Sequence, residues 1–144
     1  PRELKEKIEF FKRHELDMLI ASRYAKNSKI VNWNIFRRIF SHLSNFLARL
    51  LLRIPCTDYT NGFRFYSRRA AETVLYNCGK IGGGFIVLSE ILVEIHSKNY
   101  KIAELSTTFV NRKRGQSSVS LKLIISSLFG LVKLYYLKKR KHKI

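Results

Sequence analysis

Acidic residues are scarce in this chain. Ten Asp and Glu stand against 28 Lys and Arg over 144 residues, a formal net charge of +18. That imbalance points to polyanionic partners: nucleic acid, anionic lipid headgroups or phosphorylated substrates. Cysteine is scarcer still. Cys56 and Cys78 are too few for a disulfide framework and their spacing fits no zinc pattern, so they are read as reduced thiols in a cytosolic setting, with a single bridge as the alternative. No Gly-rich phosphate loop, internal repeat or low-complexity linker occurs. The most apolar stretch, "LKLIISSLFGLVKLYYL" at 121–137, is shorter than the roughly 20 residues that span a bilayer, and Lys122 and Lys133 interrupt it. The opening residues are charged and amphipathic, unlike a signal peptide, and Pro1 in first place leads to the expectation of a fragment of a longer chain. A hydrophobic fraction of 46% excludes wholesale disorder and is enough for one domain with a core.

Hydrophobic periodicity predicts the elements. Leu4, Ile8 and Phe11 recur at helical spacing within 1–15, and "LDMLIAS" at 16–22 reads as a buried strand. Residues 23–34 read as a polar loop. Asn34 is placed to cap a helix over 35–53, whose wide apolar stripe runs from Ile35 to Leu51 and which Pro55 ends. A short strand follows at 63–66, then a helix at 68–78 between Ser67 as N-cap and Gly79 as stop. A helix at 85–98, a strand at 100–110, a basic loop at 111–118 and a last helix at 119–137 complete an α/β order.

Three constellations carry charge in patterns that suit anion chemistry. Arg37 and Ser41 lie four apart on one helix face, and Arg23 closes a strand, where α/β sheets meet ligands. Two guanidinium forks and a hydroxyl suit a terminal phosphate; the plain alternative is a solvated helix face. In "DYTNGFR" at 58–64, Asn61-Gly62 makes a tight turn that tolerates positive φ and presents Asp58 and Arg64. The alternative is a hairpin in which Asp58 satisfies turn amides. "FVNRKRGQSS" at 109–118 can wrap a pyrophosphate or be an ordinary charge run. Glu90, in an apolar helix, needs a partner and is read as structural, paired with an arginine.

The SRY at 22–24, the R-x-x-x-S of Arg37 and Ser41, "DYTNGFRFY", the Glu-bearing helix and "FVNRKRGQSS" occur in an order that resembles family 2 glycosyltransferases of the dolichyl-phosphate mannosyltransferase and polyprenyl-phosphate sugar transferase type. The resemblance covers nearly the whole chain. It implies the C-terminal part of a GT-A (Rossmann-like) domain over 1–118, followed by an amphipathic membrane-proximal helix and basic tail over 119–144. The family's N-terminal nucleotide-binding half, with its metal-binding D-x-D, is missing from the match. Ser118 also stands where the family's G-x-S-K ends in lysine.

The resemblance further implies an inverting transfer in which a polyprenyl phosphate attacks the anomeric carbon of a nucleotide-sugar. A divalent cation (Mg or Mn) is held by ligands outside this chain. By resemblance, Arg23, Arg37 and Ser41 hold the lipid phosphate, and Asp58 sits at the reaction centre, orienting an arginine or the acceptor. Arg112 faces the donor pyrophosphate or the lipid phosphate, and Arg64 is placed with the donor pyrophosphate while supporting its own box, with Glu90, Gly62 and Gly115 in support. Such chemistry needs charge neutralisation and in-line placement of two anions more than a strong base. The basic amphipathic helix at 35–53 and the tail "KKRKHK" suit a membrane surface on its cytoplasmic face. The competing classes are a nucleic-acid-binding module, which has the charge but no RRM, KH or helix-turn-helix signature, and a non-catalytic membrane-surface protein.

Overall fold

The chain was analysed as a computed structural model that describes residues 2–110 and 121–141. Helix α1 (Arg2–Arg13) leads into β1 (Met18–Ser22), and all five residues of β1 are buried. A short continuous apolar run behaves this way when both faces of a strand are covered. β2 (Lys29–Val31) lies within the segment expected to be loop. Helices α2 (Ile35–Leu52), α3 (Arg68–Asn77) and α4 (Phe85–Ser97) follow, with β3 (Arg64–Tyr66) between the first two. β4 (Ile102–Ser106), β5 (Thr108–Val110) and α5 (Leu121–Lys141) complete the order.

β1 is the centre of a mixed three-stranded sheet of order β3-β1-β4. It runs antiparallel to β3, with Ile20 opposite Arg64, and parallel to β4, with Ser22 opposite Ser106. β2 and β5 form a separate parallel pair. The strand expected over 100–110 is therefore two strands, divided at Thr107. The Thr107 N–H still donates to Ser22 O, but its carbonyl accepts from Lys29 N. That residue hands the chain from one sheet to the other, and its hydroxyl donates to Glu3 of α1. The pairing partner of β5 is a three-residue strand too short for periodicity to reveal.

The cap expectations for α2 and α3 match the geometry. Asn34 accepts from Phe36 N and Ser67 from Ala70 N. α2 buries only one edge of its apolar stripe. Ala48 and Leu52 enter the core, with Leu47 and Leu51 packed against it. Polar Asn45 is buried too, whereas Ile35, Phe36, Ile39, Phe40, Leu43, Phe46 and Leu50 are 40% to 67% exposed. α5 likewise buries Leu131 and Leu134 and exposes Phe129, Val132 and Tyr136. Gly130 lets α5 pass close to α4, since a Cβ there would lie 2.7 Å from Ile86 Cγ1.

At the opposite end of β1, buried Asp17 ties three elements together. It accepts from Arg69 Nε and Nη2 at 2.5 and 2.6 Å, from Ser67 Oγ and from Lys101 N. The Arg69 guanidinium, ahead of the other contacts, brings its pKa from 3.8 to about 2. A depressed carboxylate stabilises the fold above its unfolded pKa, and that share is lost as pH falls from about 5 towards 2. Arg69 is largely exposed, so solvent screening holds the effect to on the order of 1–2 kcal/mol. Asp17→Asn is expected to lower the melting temperature at pH 7 and to flatten its decline between pH 5 and 3. An unchanged pH profile of melting would remove this linkage.

Candidate anion-binding site

The site grows from the C-terminal end of β1. Arg23 follows the strand directly, and its guanidinium meets the buried carboxylate of Asp58 through Nε and Nη2, both at 2.7 Å. The Arg23 backbone N–H adds a third bond to the same carboxylate, and Thr60 N and Asn61 N supply two more. Burial alone would raise the Asp58 pKa, but the hydrogen bond and charge of Arg23 hold it below the usual carboxylate range. Arg23 Nη2 also donates to Thr60 Oγ1 at 2.6 Å.

The loop carrying Asp58 is anchored on both sides. Glu104 of β4 accepts from Thr57 N, Thr57 Oγ1 and Asp58 N at 2.7 to 2.9 Å. Buried Asn45 of α2 accepts from Tyr59 N at 2.7 Å. Tyr59 is fully buried, donates its phenol to Ile54 O, and has its pKa pushed up to about 12 chiefly by burial. Cys56 beside it is a free thiol, likewise pushed up to about 12 by burial; Cys78 is free as well.

Arg23, Arg37 and Ser41 converge on one open pocket between α2, α4 and α5. Tyr24 donates its phenol to Ser41 Oγ at 2.5 Å, which leaves the serine proton available to a further acceptor. The polar wall continues through Ser44, Thr60, Ser89 and Ser127, and the apolar wall through Phe40, Phe85 and Leu128. Trp33 closes one side. Residues 37, 41, 44 and 48 share one helix face, so the spacing R-x-x-x-S-x-x-S could have extended the constellation to Ser44. Trp33, Ser89 and Ser127 come from elsewhere in the chain, and no local pattern announces them.

Several expectations change. Asp58 does not line the pocket; it is a buried positioning residue for Arg23 because its acceptor sites are already taken. Arg64 is not a pyrophosphate ligand in this arrangement. Its Nε, Nη1 and Nη2 donate to the carbonyls of Asn61, Leu88 and Tyr59 at 2.7 to 3.0 Å, which braces the turn against α4. Gly62 does not use positive φ. The described glycines that do are Gly79 and Gly84. Glu90 is buried, but its partners are the backbone amides of Gly79 and Lys80 rather than an arginine. Arg112 and Gly115 lie outside the described residues.

No family profile matches the chain. The chain is 32% identical over 120 residues to a dolichol-phosphate mannosyltransferase of Pyrococcus furiosus, an alignment covering 82% of the chain. It is 30% identical over 105 residues, or 72% of its length, to an undecaprenyl-phosphate mannosyltransferase of Micrococcus luteus. The chain is homologous to part of these polyprenyl-phosphate mannosyltransferases. It spans only 32% and 42% of the two relatives' own lengths. Within this polyprenyl-phosphate mannosyltransferase homologue, the described residues gather no group of three or more His, Cys, Asp or Glu that could hold a metal ion, so no cation ligand is assigned to them. Nor is any described helix long and apolar enough to cross a membrane.

Proposed function

We propose that this chain forms the acceptor-binding part of a glycosyltransferase that moves a sugar, mannose by analogy with the named relatives, from a nucleotide-sugar to a polyprenyl phosphate. In this reading it corresponds to the C-terminal portion of a GT-A domain. The observation that carries the proposal is the convergence of Arg23, Arg37 and Ser41 on a pocket whose rim residues Phe40 and Leu128 belong to the exposed apolar surface of α2 and α5. The phosphate sits among the guanidinium groups, and the isoprenoid leaves the pocket along that surface.

Asp58 holds Arg23 in place, and Arg37 and Ser41 orient the phosphate so that one oxygen attacks the anomeric carbon with inversion, as the bond from that carbon to the nucleotide's pyrophosphate oxygen breaks and the nucleoside diphosphate leaves. The nucleophile is already ionised, so alignment and neutralisation do the work. A divalent cation, if bound, would neutralise the donor pyrophosphate, and its ligands would come from beyond the residues described. The isolated chain is accordingly proposed to bind acceptor without transferring sugar.

The exposed faces of α2 and α5 are proposed to rest on the cytoplasmic surface of the bilayer. Phe36 and Phe46, 67% and 61% exposed, contribute little to the core. Phe36→Ser with Phe46→Ser should leave thermal melting unchanged and reduce co-flotation with anionic vesicles at least tenfold, since each buried Phe contributes roughly 1.5–3 kcal/mol. Unchanged flotation would end the interfacial role. For the pocket, the chain should bind farnesyl phosphate in detergent and ignore farnesol; equal binding of the two would overturn the phosphate reading.

A further inference from the structure

Trp33 is the single tryptophan of the chain. Two cations share its ring: Arg37 Cζ lies 4.6 Å from the centroid and Arg23 Cζ 5.3 Å. Like charges repel, and an indole face is the best aromatic counterweight to a guanidinium. Phe109 meets the same indole edge-on at 5.4 Å and fixes its tilt. The indole Nε1, on a residue that lines the pocket, is shielded from solvent and has no hydrogen-bond partner among the described residues. A buried tryptophan in a core normally finds a partner for that N–H, because leaving it unpaired is costly. Ser127 Oγ, on the wall contributed by α5, is orphaned in the same way. Both residues line the same cationic pocket, where a bound acceptor would satisfy them.

We propose that Trp33 is a binding residue for the acceptor phosphate. Its ring sets the separation of Arg23 and Arg37, and its N–H donates to a phosphate oxygen once the anion draws the Arg37 side chain aside. This inference rests on the phosphate-binding reading of the pocket. It assigns a role to a residue that no motif marks.

The test uses the sole tryptophan as its own reporter. Farnesyl phosphate titrated into the 144-residue chain should change Trp33 emission saturably, and farnesol should not. Inorganic phosphate added in competition distinguishes recognition of the headgroup alone, where it displaces the lipid, from recognition that also needs the chain; both results keep Trp33 on the phosphate. Affinities are then compared by calorimetry. Trp33→Phe keeps a ring and removes the donor, and should weaken farnesyl phosphate binding about tenfold or more without a matching fall in melting temperature. Trp33→Leu removes the platform as well and should bind more weakly still. If Arg37→Ala loses affinity while Trp33→Phe binds as the unaltered chain does, the Trp33 inference is overturned and the pocket stands. If Trp33 emission is indifferent to farnesyl phosphate that calorimetry shows to be bound, the inference is overturned as well. If the unaltered chain does not distinguish farnesyl phosphate from farnesol, the underlying reading falls with it.

Discussion

Asp58→Asn should destabilise the fold and abolish phosphate binding together. The carboxylate is fully buried, and the guanidinium it faces is only 7% exposed. Removing one partner of a buried ion pair leaves the other charge unmatched and costs about 3–5 kcal/mol. In a chain of this length that corresponds to a fall in melting temperature of roughly 10 °C or more. The asparagine amide also turns a donor towards Arg23, which has only donors to offer. Pairing Asp58→Asn with Arg23→Gln removes the stranded charge. The double variant should melt above Asp58→Asn alone while still failing to bind farnesyl phosphate. Recovery of melting in the double variant shows that the lost stability came from the stranded guanidinium. Normal melting and normal binding in Asp58→Asn would show that Arg23 does not depend on it.

Arg37→Ala should act on the ligand and leave the fold alone. Arg37 lines the pocket from an α2 position next to the exposed apolar face, and its guanidinium rests on Trp33. Loss of one charge-assisted contact costs on the order of 1.5–3 kcal/mol, or roughly a 10- to 100-fold weaker farnesyl phosphate affinity. Arg37→Lys should recover little. An ammonium is a point charge that cannot grip two phosphate oxygens in one plane or stack as a guanidinium does. Unchanged affinity in both variants, measured beside superimposable melts, would reduce Arg37 to a surface residue. Unlike Asp58→Asn, neither substitution breaks the buried Arg23–Asp58 pair, so the two experiments fail in different ways.

The elements that depend on local chemistry were legible in the order of residues. Asn34 and Ser67 each accept an amide two or three positions on, and a cap needs nothing beyond its own turn. The run Met18–Ala21 could only be a strand or a short buried helix, and its length favoured the strand. R-x-x-x-S identified Arg37 and Ser41 as neighbours because helix geometry makes them so. The homologous polyprenyl-phosphate mannosyltransferases were recognisable from motif order for the same reason: each motif is a short local pattern.

What the sequence by itself determined is this local layer: the caps, the apolar run of β1, the amphipathic α2, the excess of cations, and the pairing of an arginine with a serine on one helix face. Tertiary structure alone decided how α2 is rotated. It turns Asn45 inward to hold the Tyr59 amide and leaves seven large apolar residues facing out. A stripe records that a helix has two faces and does not record which one the rest of the protein can cover. Tertiary structure also decided that Asp58 serves Arg23 across 35 residues, that Arg64 closes on the Leu88 carbonyl 24 residues on, and that the Trp33 ring meets both the Arg23 and the Arg37 guanidinium. Asp58 and Arg23, and Arg64 and Leu88, are distant in sequence, and a buried charge is satisfied by whatever the fold brings within about 3 Å.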